Sequence, residues 1–158
     1  MAERLRTRED QAFLPREFIS FRVGTQEFCV DAMAVKEVRA WSPATLLPRA
    51  PSYLRGVINL RGVIVPIVDL GARLNFPPRE PTEEHIVIVV WIVRKLVGLL
   101  VDTVCDLVTT DADAFETTSD LTGEEIHTLV KELITVEGRA IGLIALDQVM
   151  PGREEQSP

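Results

Sequence analysis

The apolar residues of this chain come in short runs that end in turns. The longest uninterrupted run, Ile86–Val93, has eight residues. A membrane-spanning helix needs about 20 apolar residues. Runs this short, with 19 Val and 11 Ile among 158 residues, suit β-strands, because branched side chains pack well on a pleated surface. Closely spaced turn signals between them are the pattern of small sandwiches and barrels. A mainly β fold is therefore expected.

Phe18–Val23 alternates, with Ile19, Phe21 and Val23 on one face and Ser20 and Arg22 on the other. Gly24-Thr25 turns the chain and Glu27–Val30 returns, which predicts a hairpin. Asp31 is a good N-cap, and Ala34, Val35 and Val38 have the spacing of one helix face, so a short helix is expected after it. Pro43, Pro48 and Pro51 mark an irregular connector. Gly56–Asp69 reads as two strands meeting at Arg61-Gly62, with Pro66 marking an edge or bulge. Asp69 caps a further helical turn over Leu70–Leu74. Asn75–Glu84 is a proline-rich, acidic linker and the best internal boundary.

The second part repeats this grammar. Ile86–Val93 is apolar on both faces, hence a central strand. Arg94-Lys95 turns the chain and Leu96–Val101 returns. Val104–Val108 is apolar again, Asp111 can cap a turn reaching Phe115, and Glu116–Thr122 reads as a polar loop. Thr122 with Glu125 fits a capping box. A last hairpin turns at Glu137-Gly138. Val30-Asp31 echoes Val101-Asp102, and Gly62…Asp69 echoes Gly138…Asp147. Two copies of one plan predict two similar small barrels packed together. Residues 1–17 are expected to be loose, 18–150 to form the domain, with halves at about 18–76 and 84–150, and 151–158 to be a polar tail.

The formal net charge is −7. Such a chain makes a poor partner for nucleic acid, whose affinity comes from Lys and Arg, and a small barrel binding single strands would need a basic groove with stacking aromatics. It also makes a poor direct binder of anionic membranes. The N-terminus has no apolar core of a secretory signal, so a cytoplasmic protein is expected. Cys29 and Cys105 each sit in an apolar run and are expected to be buried thiols. His85 and His127 lack companions at metal-ligand spacing. No phosphate loop or nucleophile elbow is present. These absences point away from an enzyme, a cofactor or a metal and toward a binding module.

Tyr53-Leu54-Arg55-Gly56-Val57-Ile58-Asn59-Leu60-Arg61-Gly62-Val63-Ile64-Val65-Pro66-Ile67-Val68-Asp69-Leu70 resembles the signature segment of the CheW family of bacterial chemotaxis adaptors. Asp31–Val38 resembles the helix upstream of it, and Leu96–Asp102 with Val104 and Leu107-Val108 resembles the family's second-half motif. The resemblance spans about Phe18 to Met150. It implies two five-stranded, SH3-like β-barrels packed as pseudo-repeats, with short helices and no catalysis. It implies coupling of transmembrane chemoreceptors to a CheA-type histidine kinase, or service as such an adaptor in a non-motility chemosensory pathway. One barrel would meet the kinase's regulatory domain, and the groove between barrels would take the receptor's cytoplasmic tip. The protein would then be cytoplasmic and recruited to receptor arrays.

By the same resemblance, Glu37 and Arg61 match acidic and basic motif residues at the partner interface, Gly56 and Gly62 match family glycines, and Val35 matches an apolar helix position. An Arg fork suits a carboxylate, so Glu37 and Arg61 can fix local geometry or present charge to a partner. The chain departs from the family pattern in its second half. Val130-Lys131-Glu132 brings charge where a small strand entry is usual, Gly142 replaces a larger apolar residue, and the Arg94-Lys95 turn lacks the common Gly or Asp.

Overall fold

The structure, a computed structural model, describes residues 16–110, 115–117 and 129–150. The described strands are β1 (Arg16–Val23), β2 (Gln26–Asp31), β3 (Val35–Ala40), β4 (Leu54–Leu60), β5 (Val63–Asp69), β6 (Ile86–Ile92), β7 (Lys95–Val101), β8 (Thr103–Thr110), β9 (Phe115–Thr117), β10 (Val130–Val136) and β11 (Arg139–Ile144). One α-helical turn, α1 (Leu70–Arg73), follows β5, and 3₁₀ turns occupy Ala32–Ala34 and Leu146–Gln148.

The strands form two sheets. The first has the order β8-β1-β2-β11-β10-β9 and the second β3-β6-β7-β5-β4. Both share one plan. A hairpin (β1–β2 or β6–β7) pairs in parallel with the end of a second hairpin (β10–β11 or β4–β5), and a flanking strand (β8 or β3) covers the other side. The parallel registers are Phe28↔Gly142 and Gly98↔Ile67. The expected two similar five-stranded units are therefore present, with the three-residue β9 as a sixth strand on the first.

The sheets do not coincide with the two halves of the chain. The first hairpin, β1–β2, is completed by β8, β10 and β11, whereas β3, β4 and β5 complete the sheet of β6–β7. The linker after α1 joins β5 to β6 within one sheet. Each half of the chain thus lends its later strands to the other half's hairpin. Alternation in sequence reports which face is buried but not which strand lies alongside, so this exchange is invisible to it.

Three clusters form the core. Phe21 and Val30 from the first sheet meet Ile88, Val90 and Leu99 from the second in a shared cluster. Val65, Ile67, Val87 and Val89 fill the second sheet's own interior, and Phe18, Cys29, Val108, Ile134 and Ile141 fill the first's. β6 supplies both of its faces, Ile88 and Val90 to one cluster and Val87 and Val89 to another, as a central strand should.

Several local expectations are corrected. The helix after Asp31 is only the turn Ala32–Ala34. The Asp31 carboxylate does accept the Met33 N–H at 2.9 Å, but the chain becomes β3 at Val35. Val35 and Val38 pair opposite Val90 and Ile88, so ladder bonds and branched side chains outweigh a weak helical spacing. Val35 is a strand residue. At Asp69 the cap holds, its carboxylate accepting the Ala72 N–H at 3.2 Å. The β6–β7 turn is Val93-Arg94, one residue earlier than expected. β1 begins at Arg16, inside the segment expected to be loose. Glu116 and Thr117, expected in a loop, lie in β9, while Asp111, the Thr122–Glu125 capping box and His127 fall outside the described residues.

Cys29 is buried, but Cys105 is exposed. Ser20 pairs with Asp106 and Phe21 with Val104, which leaves Cys105 as the extra residue of a bulge on an edge strand. Gly142 lies where Phe28 and Val130 fill the space. A β-carbon there would come 2.9 Å from Val130 Cγ1 and 3.0 Å from Phe28 Cδ1.

Candidate functional site

The β4–β5 turn carries Arg61 and Gly62 with φ of 51° and 91°. Left-handed backbone at both central positions matches the twist of a hairpin, and glycine takes the second without a steric penalty. Asn59 Oδ1 accepts the Gly62 N–H at 2.8 Å and ties the turn down. The turn holds the Arg61 guanidinium against Glu37 of β3, to whose carboxylate it donates. Arg39, two residues along β3, approaches the other Glu37 oxygen at 3.5 Å. Glu37 is the inner member, with a side chain 26% exposed against 66% for Arg61. The hydrogen bond from Arg61 is the leading cause that holds the Glu37 carboxyl below the usual carboxylate range. The pair is therefore charged at neutral pH, with its guanidinium turned to solvent.

Val35 opens β3 and packs against the shared cluster. β5 and β7 run parallel, so the turns that precede them, Arg61-Gly62 and Val93-Arg94, lie at the same end of the second sheet. Val35 pairs with Val90, close to that end as well. Four of the five expected site residues, Val35, Glu37, Arg61 and Gly62, thus gather at one end of the second sheet.

Gly56 does not join them. It sits toward the far end of β4, where it pairs with Ile67 at a bulge. Its φ is 135°, and a β-carbon would lie 2.4 Å from the Thr45 carbonyl oxygen. Thr45 and Val57 exchange N–H···O bonds of 2.9 Å in each direction, so Gly56 lets the proline-rich connector lie on β4.

Sequence reasoning missed Val63, Ile64, Trp91 and Val93, all exposed apolar residues at the gathered end. The signal was available in part, because Val63 and Ile64 directly follow the Arg61-Gly62 turn. Arg94 and Lys95 are exposed beside them. This end offers an apolar patch with cations around it, on a chain whose net charge is −7.

A second cluster lies under the linker, around a cavity of about 650 Å³ lined in part by Val23, Phe76, Pro77 and Leu100. Its charges are satisfied internally. Arg55 bonds Asp69 at 2.8 Å and the Arg79 carbonyl at 2.7 Å, and Arg79 bonds Asp102. Asp102 also accepts the Gly24 N–H at 2.9 Å, which clasps the β1–β2 turn and the linker to the end of β7. His85 Nδ1 accepts the Thr82 N–H at 2.9 Å and shapes the linker. Among the described residues, no three of His, Cys, Asp and Glu gather as a metal site, and no helix is long and apolar enough to cross a membrane.

Burial would raise the Asp102 carboxyl, but the Arg79 and Gly24 bonds outweigh it and hold it below its usual value. The clasp therefore contributes stability above the ordinary aspartate range and loses it as pH falls through the depressed value. Asp102→Asn should flatten the acid side of the stability profile. In the native chain the Gly24 amide resonance should move with the Asp102 titration. An identical acid profile in Asp102→Asn would contradict the clasp.

The CheW-like domain family matches residues 17–154. The chain is 46% identical over 142 residues to the chemotaxis protein CheW of Rhizobium meliloti, covering 90% of this chain and 92% of that one. It is 30% identical over 141 residues to the chemotaxis protein CheW of Bacillus subtilis, covering 89% and 90%. In structure it resembles the scaffolding protein TtCheW of Thermoanaerobacter tengcongensis, with a TM-score of 0.79 and 26% identity over 87% of this chain and 98% of that one. Two sheets on one plan, a turn that sets an arginine against a β3 carboxylate, and this likeness along nearly the whole length lead to one conclusion: the chain belongs to the CheW family and is a chemotaxis scaffold protein, not an enzyme.

Proposed function

We propose that this chain couples transmembrane chemoreceptors to a CheA-type histidine kinase at the inner face of the membrane, and that the end of the second sheet bearing Glu37 and Arg61 is the surface a partner reads. The observation that carries this reading is the Arg61 guanidinium, fixed by its turn, bonded to Glu37 and still largely exposed. An ion pair that served stability alone would gain little in such a position. The apolar residues beside it supply the buried centre that a specific interface needs, and the charges supply its rim.

The test is reconstitution of vesicles bearing receptor cytoplasmic regions, the kinase and this chain. Kinase autophosphorylation should rise with receptors only when the chain is added. Binding to the kinase's regulatory domain, measured by calorimetry, should persist at moderate salt, because apolar burial is not screened as exposed ion pairs are. Autophosphorylation indifferent to the chain would defeat the proposal.

A further inference from the structure

Both ring nitrogens of His85 meet the clasp under the linker. Nδ1 accepts the Thr82 N–H at 2.9 Å and lies 3.2 Å from Thr82 Oγ1. Nε2 faces Asp102 Oδ1 at 3.7 Å. A nitrogen that accepts an N–H carries no proton of its own, so this ring is neutral, with its proton on Nε2 toward Asp102. The backbone of His85 is held on both sides. Its N–H donates to the Thr82 carbonyl at 3.0 Å, and its carbonyl accepts the Trp41 N–H at 2.9 Å. A change at the ring is therefore taken up by the groups it touches.

A second proton on the ring has two effects. It occupies Nδ1, which turns an acceptor into a donor facing the Thr82 N–H. The acceptor left within reach is Thr82 Oγ1, which already accepts the Glu84 N–H at 3.2 Å. The ring also becomes a cation, and the oxygen it faces, Asp102 Oδ1, is the one that Arg79 holds. Asp102 Oδ2 is engaged by the Gly24 N–H. Two cations then compete for one carboxylate oxygen and repel each other. The other charges around the ring act less directly. Arg55 of β4 and Asp69 of β5 bond each other across the cavity, Glu80 approaches Arg55 at 4.0 Å, and Glu83 and Glu84 are exposed on the turn of His85 itself.

We infer that His85 is a proton-operated latch of the linker. Neutral, it pins Thr82 and leaves Asp102 to Arg79. Protonated, it lets go of Thr82 and draws on Asp102, so that linker residues 79–82 loosen over the cavity beneath them.

The test is nuclear magnetic resonance of the full chain between pH 8 and 5.5. That window contains the ordinary imidazole range and lies above the ordinary carboxylate range. At pH 8 the ring nitrogens of His85 should report the Nε2–H tautomer, and the Thr82 amide should be protected from hydrogen exchange. At pH 5.5 that protection, corrected for the intrinsic pH dependence of exchange, should fall about tenfold, as expected for the loss of one ordinary hydrogen bond. The Thr45 amide, bonded to the Val57 carbonyl on the connector, should keep its protection.

His85→Asn places a carboxamide oxygen, which does not titrate, near the position of Nδ1. Thr82 should then be protected equally at both pH values. His127 is unchanged in this variant, so a pH dependence that survived in it would overturn the latch. An Nδ1–H tautomer at pH 8 would overturn it, as would equal Thr82 protection at both pH values in the native chain. An equal fall at Thr82 and Thr45 would assign the effect to loosening of the whole domain and overturn the inference as stated.

Discussion

Gly56→Ala is expected to destabilise the chain by about 3–5 kcal/mol, from backbone strain together with overpacking. Two causes act at one atom. The backbone at φ 135° lies in a region that only glycine occupies comfortably. The added carbon would also stand 2.4 Å from the Thr45 carbonyl oxygen and 2.9 Å from its carbonyl carbon. Both are backbone atoms, so no rotamer change relieves the clash. The connector must lift off β4 and give up the two Thr45–Val57 bonds. A fall in melting temperature of roughly 10–15 °C follows for a domain of this size. Differential scanning calorimetry measures it. A loss below about 1 kcal/mol, the size expected of an ordinary surface change, would show that the connector is free to move. Weakened partner binding in this variant should track the loss of folded protein, because Gly56 lies away from the gathered end of the sheet.

Glu37→Ala and Arg61→Ala are expected to behave in the opposite manner. The pair is exposed on the arginine side, and exposed pairs contribute little to folding. Each variant should therefore melt close to the native temperature. Receptor-dependent kinase activation should fall about tenfold or more, because a charge read by a partner acts on recognition and not on the fold. The double exchange Glu37→Arg with Arg61→Glu separates two mechanisms. Recovery of activation would mean that mutual attraction within the pair is what matters. Continued failure would mean that a partner reads the sign of the outer charge, and this is the result we expect. Normal activation in both single variants would defeat the role assigned to the pair. The Glu37 carboxyl itself should titrate nearer the usual carboxylate range in Arg61→Ala, since the Arg61 hydrogen bond is the main cause of its depression. Nuclear magnetic resonance of that carboxyl shows whether the contact exists in solution, whatever the signalling result.

Much of the fold was legible because turn chemistry is local. Gly24, Gly62 and Gly138 mark three hairpins, and each has the positive φ that such turns require. The doubly apolar run at β6 announced a central strand. What failed was decided at a distance. Asp31 does cap a turn, but pairing with β6 extends the chain at Val35. Cys105 lies in an apolar run, yet a bulge opposite β1 turns it to solvent. The β6–β7 turn carries no turn-forming residue, so the charged pair Arg94-Lys95 marked it one residue late. For the site, Glu37 and Arg61 were named by resemblance, and their contact spans 24 positions and needs the β4–β5 turn to deliver it. Gly56 was named with them because turn glycines and packing glycines look alike in sequence. Val63, Ile64, Trp91 and Val93 read as strand interior, because apolar residues near a strand end give no sign of lying beyond their neighbours' cover.

The exchange of strands between halves bears on how the chain must be made. On a ribosome moving at about 5–20 residues per second, β5 is complete roughly 2–6 s before β7, its parallel neighbour, has been synthesised. During that interval β5 pairs with β4 alone, and its other edge has no strand beside it. The β1–β2 hairpin waits longer still, because β11, which pairs with β2, ends at Ile144. Neither sheet can close in the order in which it is written, and the first-made hairpin is among the last elements to be enclosed. Such a nascent chain depends on whatever shields unpaired strand edges until its final hairpin has emerged.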